Sequence, residues 1–261
     1  MTEVSVGLLL DSPSLTEWER RAVEELLNSS EIDASVTHVV LNDSQNESSL
    51  TDQFRSLVFD FSLWKVHIAA QKVSNTVTGV PWYQEQTELS NIISTEEAQI
   101  IECEPVPADG IGNELPPSAV KKVENVDIAV RFGFGILKGD ALTAPTHGVL
   151  SYHHGDLREY RGRPAGFYEL LNGEDEVGIT VQRLNENLDA GEIAAIDHAP
   201  ITDGVSLREL YSQLFAASPK LLPRAVKKCV EDGDLETPDS LGDIYMAPSN
   251  SEMLSYLLYR F

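Results

Sequence analysis

Between His147 and Gly162 the chain reads HGVLSYHHGDLREYRG. Ser151, His153 and His154 stand at the end of an apolar run. Asp156, Arg158, Arg161 and, just beyond, Arg163 follow within a few residues. Loops at strand ends are where a rigid scaffold displays reactive groups. An imidazole there can supply or take a proton, or face a developing negative charge, and a carboxylate can orient it. Neighbouring histidines on a strand point to opposite faces, and neither Cys103 nor Cys229 lies at metal-ligand spacing, so no metal site is expected. The guanidiniums suit carboxylates or phosphates. They form either a seat for an anionic ligand or a set of ion pairs with Asp156, Glu159 and nearby carboxylates.

Two other segments could meet this one. LNENLDAGEI puts Asp189 in a glycine-bearing turn between two strands, and RFGFGILKG supplies Gly133 and Gly135, where backbone amides can approach a ligand.

The elements that must bring these segments together are legible as alternating strands and helices. Residues 4–10 are a continuous apolar run, read as a buried strand. A Ser14/Glu17 capping pattern then leads into apolar positions Trp18, Ala22, Val23, Leu26 and Leu27 at helical spacing. Residues 34–41 read as a second strand, completing a βαβ unit. Further strands are expected over 99–106, from 126 into a glycine-rich bend, and over 147–153, 177–184 and 191–201. Helices are expected in LPPSAVKKVEN, over 163–172, and from the Ser206/Glu209 cap to about residue 230. Residues 56–80 have no clean period and are left unassigned. The pattern predicts an α/β fold: a Rossmann-like, doubly wound, mostly parallel sheet with helices on both faces. It divides into one domain over residues 1–232 and a C-terminal extension over 233–261. In that tail Met253, Leu254, Leu257, Leu258 and Phe261 share a helical face, which either packs on the domain or forms a homodimer contact.

Composition narrows the partners. With 42 acidic and 19 basic residues the net charge is −23. A field this negative repels phosphate backbones, so general nucleic-acid binding is not expected. Carboxylates spread through every segment fit a salt-adapted, halophilic cytosol. Absence of a basic N-terminal start and of any run near the ~18 apolar residues of a membrane span predicts a cytoplasmic, soluble protein with two reduced thiols. Neither G-x-G-x-x-G nor a P-loop is present, which leaves the sheet's crevice free for another ligand.

The residues from Asp127 to Ile193 resemble the folate-dependent formyltransferases: His153 near a strand end, Gly178-Ile179-Thr180, then Leu188-Asp189-Ala190-Gly191. The resemblance implies transfer of a formyl group from 10-formyltetrahydrofolate to the amine of a small acceptor, with His153 and Asp189 catalytic. It places the donor against Phe134, Gly135, Ile136 and Leu137 and under the loop carrying Asn185, Glu186 and Asn187. Beside that site His154 and the positive island of Arg158, Arg161 and Arg163 would form the acceptor side, an amino sugar on a nucleotide carrier fitting best, or would seat the folate glutamate tail, although Arg161 before Gly162 also matches a family Arg-Gly that the resemblance makes structural. Initiator tRNA is disfavoured, because too little chain follows the core for an RNA-binding domain. Ser151 stands where the family has asparagine and would be the third catalytic group, acting through a shift, a bridging water or a neighbour. Hydrolysis of the donor, as in the deformylases with paired histidines, and a non-catalytic folate-binding role remain the alternatives.

Overall fold

The computed structural model describes residues 3–44, 62–94 and 97–259. The run VSVGLLL forms strand β1 (Val4–Leu10). Leu8 and Leu9 point to opposite faces and both are fully buried, so each side of the sheet must be covered. The other main strands are β2 (Ala34–Asn42), β3 (Gln99–Cys103), β4 (Ile128–Arg131), β5 (Val149–His153), β6 (Glu176–Arg183) and β7 (Glu192–Pro200). Their order across the sheet is β7-β6-β5-β4-β1-β2-β3. β5, β4, β1, β2 and β3 run parallel, and β6 and β7 add an antiparallel edge. This is the doubly wound α/β fold expected.

Seven α-helices lie among the described residues: α1 (Glu17–Leu27), α2 (Leu63–Thr78), α3 (Pro117–Val123), α4 (Phe167–Asn172), α5 (Leu207–Ala217), α6 (Leu221–Lys227) and α7 (Asn250–Tyr259). Ala22, Val23 and Leu26 of α1 join Leu210, Leu214, Leu221 and Leu222 in the core on one face of the sheet. Ala119 and Val123 of α3 cover Leu9, Val40, Ala129 and Val149 on the other. Each leucine buried this fully contributes about 2 kcal/mol of transfer free energy.

Several boundaries depart from the sequence pattern. The Ser14/Glu17 cap is displaced, because Ser14–Thr16 pairs antiparallel with Gln86–Glu88 and stays extended. Thr16 caps α1 instead, its N–H donating to Glu19 at 2.8 Å, and Glu17 turns to Arg20 and Arg21. The Ser206/Glu209 cap forms as expected. α4 begins at Phe167 rather than at residue 163, after Gly166 in a left-handed conformation. β3 ends at Cys103, and Val106–Pro107 forms a separate short strand. α2 fills most of the unassigned stretch, whose residues 56–61 lie outside the described residues.

The tail packs by a face other than the one expected. Met253 and Tyr256 of α7 are buried, whereas Leu254 and Leu258 are 53% and 76% exposed; Phe261 lies outside the described residues. Before α7, Asp243–Tyr245 pairs in parallel with Tyr160–Gly162, and Ile193 bridges to Glu236. No described helix is long and apolar enough to cross a membrane.

Candidate active site

Strand order reverses at β1, with β2 on one side and β4 on the other, and the crevice beyond the strands' carboxyl ends is where such sheets accept ligands. Asp11 follows β1, Arg131 ends β4 and His153 ends β5. Asp11 Oδ1 accepts the N–H of Phe134 at 2.7 Å and the amide of Asn42 at 2.9 Å, which ties the glycine-rich bend to the end of β1. The approach is so close that a Cβ on Gly133 would overlap the backbone at Leu10 and Asp11.

Parity sets the rest. Ser151 and His153 share one face of β5, opposite Gln182 and Thr180 of β6. His153 is 8% exposed; its Nε2 donates to the Tyr160 carbonyl at 2.9 Å, and its Nδ1 lies 3.5 Å from Asp189 Oδ1. Both ring nitrogens therefore face acceptors. Thr180 Oγ1 donates to the carbonyl of Gly155 at 2.8 Å and fixes the turn after the histidines.

Asp189 reaches this position through a tight turn, with φ at +43°. Its Oδ2 accepts the Gly162 N–H at 3.0 Å and its Oδ1 the Gln182 amide at 3.3 Å. Gln182 also receives the Gly191 N–H at 2.9 Å, so one buried side chain holds both sides of the turn. Arg161 adds a third restraint, donating to the carbonyls of Leu188 at 3.2 Å and Gly242 at 2.8 Å.

A second charged group stands beside this pair. The Arg131 guanidinium donates to Ser151 Oγ at 2.8 Å through Nη2 and to the carbonyls of Gly133 and Gly135 through Nη1, while its buried Nε has no partner. Burial draws its pKa down; the field of Asp189 acts the other way. Guanidinium stays charged in proteins, so the crevice carries a fixed cation against the serine. Arg131, Gln182 and the Tyr160 carbonyl are the functional groups that residue patterns missed. The available signal was one arginine ending the apolar run DIAVRF.

Other expected site residues are placed elsewhere. His154 points to the opposite face from His153, where Nε2 lies 2.9 Å from Ser218 Oγ and the ring sits among Trp18, Tyr152 and Phe215. Burial pushes its pKa down to about 3, and the residue also lies in the lining of the cleft beside His153. Arg158 is taken by Asp156 and Glu236, and Arg161 by backbone carbonyls. Only Arg163 of the three is exposed with no ion pair or side-chain hydrogen bond to another described residue. Phe134 and Leu137 are core residues, 1% and 3% exposed, so their side chains do not wall a ligand slot. Gly135 is exposed and Ile136 half-buried. Glu186 accepts the Gly139 N–H at 3.0 Å, which brings the two loops into contact, while Asn185 caps the Ala190 carbonyl and the N–H of Asn187. No group of three or more metal-ligating side chains occurs among the described residues.

His153, Arg163, Tyr168, Glu169 and Tyr245 border a cleft of about 10 Å³, room for one water-sized group and not for a ring. Glu169 is 4% exposed, and burial raises its pKa to about 7. The folded protein therefore keeps this proton up to about pH 7, while an unfolded chain releases it near 4.5. Ionisation costs stability progressively between those values, and the cost is absent below and complete above. Glu169→Gln is expected to gain about 3 kcal/mol relative to the parent at pH 8 and almost nothing at pH 4.5. Urea unfolding at the two pH values measures the difference.

Comparison with known proteins follows the same region. The formyl transferase family model matches residues 113–226. A methionyl-tRNA formyltransferase from Listeria monocytogenes is 35% identical over 97 residues, 37% of this chain and 31% of that protein. The matched segment thus spans about a third of the relative's length. Among solved structures, an N-formyltransferase from Helicobacter canadensis, in complex with folinic acid and dTDP-3-aminofucose, superposes with a TM-score of 0.56 at 13% identity. That match covers 93% of this chain and 70% of the other. A formyltetrahydrofolate deformylase from Pseudomonas syringae gives 0.58 at 16% identity, covering 93% and 67%. At such identities the structural matches speak for the fold, and the sequence match speaks for the segment that builds the site. Residues 113–226 of this chain match the formyl transferase family model, and the resemblance is strongest where the site is built.

Proposed function

We propose that this chain transfers a formyl group from 10-formyltetrahydrofolate to the amine of a small acceptor. The observation that carries the reading is the 3.5 Å approach of His153 Nδ1 to Asp189 Oδ1, with the Arg131 guanidinium on the adjacent Ser151. Attack of the amine on the formyl carbon builds negative charge on its oxygen, and cationic donors held in place stabilise that charge. Arg131 supplies a guanidinium and His153 a ring N–H in this crevice. Collapse breaks the bond from carbon to N10, which takes up a proton as the amine gives one up, and Asp189 is placed to relay it through water. Ser151 here serves as the acceptor that aims Arg131.

The donor would lie along Gly135, Ile136 and Asn185–Asn187, outside the water-sized cleft. That cleft suits a single oxygen or nitrogen and not the ring. For the acceptor, Arg163 is the remaining unpaired guanidinium, so an amino-sugar nucleotide would meet one arginine rather than three. Hydrolysis is the alternative reading, with the His154 ring turned to Ser218.

The test is turnover of 10-formyltetrahydrofolate by the purified protein in high salt, with and without amino-sugar nucleotides and simpler amines. Tetrahydrofolate formed together with N-formyl product supports transfer. Formate released without acceptor identifies a hydrolase. No turnover and no donor binding overturn the reading.

A further inference from the structure

His153 ends β5 and Asp189 sits in the turn before β7, yet both lean on the same three residues. The Tyr160 carbonyl accepts from His153 Nε2 at 2.9 Å, the Gly162 N–H donates to Asp189 Oδ2 at 3.0 Å, and Arg161 between them donates to the Leu188 carbonyl at 3.2 Å. So short a strand is not stable without a partner. Among the described residues its sheet partner is Asp243–Tyr245, in a two-stranded ribbon, and that partner lies beyond the segment that the formyl transferase model matches.

Backbone closes the ribbon at both ends. The Arg163 N–H donates to the Tyr245 carbonyl at 3.1 Å and the Gly242 N–H to the Leu157 carbonyl at 3.0 Å. Two glycines permit the approach, since a Cβ on Gly162 would overlap the Tyr245 carbonyl and one on Gly242 the Glu159 carbonyl. The Tyr245 ring packs on Tyr168 and Tyr160, with centroids 4.2 and 5.4 Å away, and the Tyr168 hydroxyl donates to the Met246 carbonyl at 3.0 Å. Core burial does not account for this attachment, because Leu241, Ile244 and Met246 stay exposed. The contacts of the segment go instead to the strand on which the imidazole and the carboxylate rest.

We propose that the tail strand Asp243–Tyr245 is a positioning element of the site: it fixes Tyr160–Gly162 and, through that strand, the approach of His153 to Asp189. The inference rests on the reading of those two groups as the reacting pair. Neither is touched by the tail strand's backbone bonds, so its effect on them is indirect.

Nuclear magnetic resonance of the full chain labelled with 15N-histidine tests it, with His153→Asn marking the ring signal that belongs to His153. Gly242→Ala drives a methyl group into the Glu159 carbonyl. The Arg163 amide should then exchange with solvent about tenfold faster or more, while amides of β1 keep their protection and the His153 ring signal shifts. In the same variant kcat for formyl transfer should fall by about 10²-fold with little change in the donor KM, the scale of a misplacement of about 1 Å. Gly233→Ala strains a left-handed glycine earlier in the tail, where the added methyl meets nothing, and should keep the parent's ring signal and kcat. Ile244→Pro removes an N–H from the ribbon at an exposed position, should move the amide and ring signals in the same direction, and covers the case in which the Gly242 substitution unfolds the chain. A ring signal that stays in place while the Arg163 amide opens, an amide that stays protected in both ribbon variants, or an equal shift in Gly233→Ala overturns the proposal. A parent that turns over no formyl donor would sink the formyl-transfer reading instead and leave the ring-signal result, which alone decides the role of the ribbon, intact.

Discussion

His153→Asn should lower kcat for formyl transfer by about 10²- to 10⁴-fold, the range of a general acid–base group, while the KM for the donor changes by only a few fold. The amide nitrogen of asparagine takes the place of Nδ1 beside Asp189 and is too short to reach the Tyr160 carbonyl that Nε2 meets at 2.9 Å. Unlike imidazole, it can neither take up nor release a proton. Asp189→Asn should fall in the same class, and the double variant should lose little more than either alone, because the two groups act as a unit. Steady-state kinetics on the three variants checks this. Additive losses would mean that the 3.5 Å approach has no chemical role.

Arg131→Met should cost about 10²- to 10³-fold in kcat, the loss seen when an oxyanion donor is removed. The same change removes a buried charge with an unpartnered Nε, so thermal stability should hold or rise. Lower activity with unchanged or higher stability separates a catalytic cation from a structural one. If activity and Tm fall together, Arg131 is merely holding the carbonyls of Gly133 and Gly135. Ser151→Asn, which restores the residue that the family resemblance leads one to expect, should give no large gain while Arg131 is present, because the donor's place is already taken.

How much of this was legible in the residue pattern depends on the distance over which each feature is decided. β1, β2 and the two edge strands follow from local apolar runs, whereas their order and the antiparallel edge are set by pairings between distant segments. His153 and Asp189 were found together because a family resemblance linked two segments that spacing alone leaves apart. The displaced helix cap is decided by Gln86–Glu88, seventy residues away and invisible to a local signature. Arg158, Arg161 and Arg163 look alike in sequence, yet their fates are set by Asp156 nearby, by Gly242 from the tail and by the lack of any described partner. Strand alternation separates the His154 ring from the His153 ring, which is as far as a local pattern goes. Phe134 and Leu137 show the opposite ambiguity, since an apolar residue beside a glycine reads equally as pocket wall or core.

Arg161 reaches across to a carbonyl at Gly242, and through it the turn bearing Asp189 is latched by a stretch of chain translated much later. Domains begin to fold while still emerging from the ribosome. The sheet can therefore form first, but the imidazole and its carboxylate gain their final alignment only once residue 242 has left the exit tunnel. Chains that stop short of residue 242 would then be folded bodies with an unlatched site.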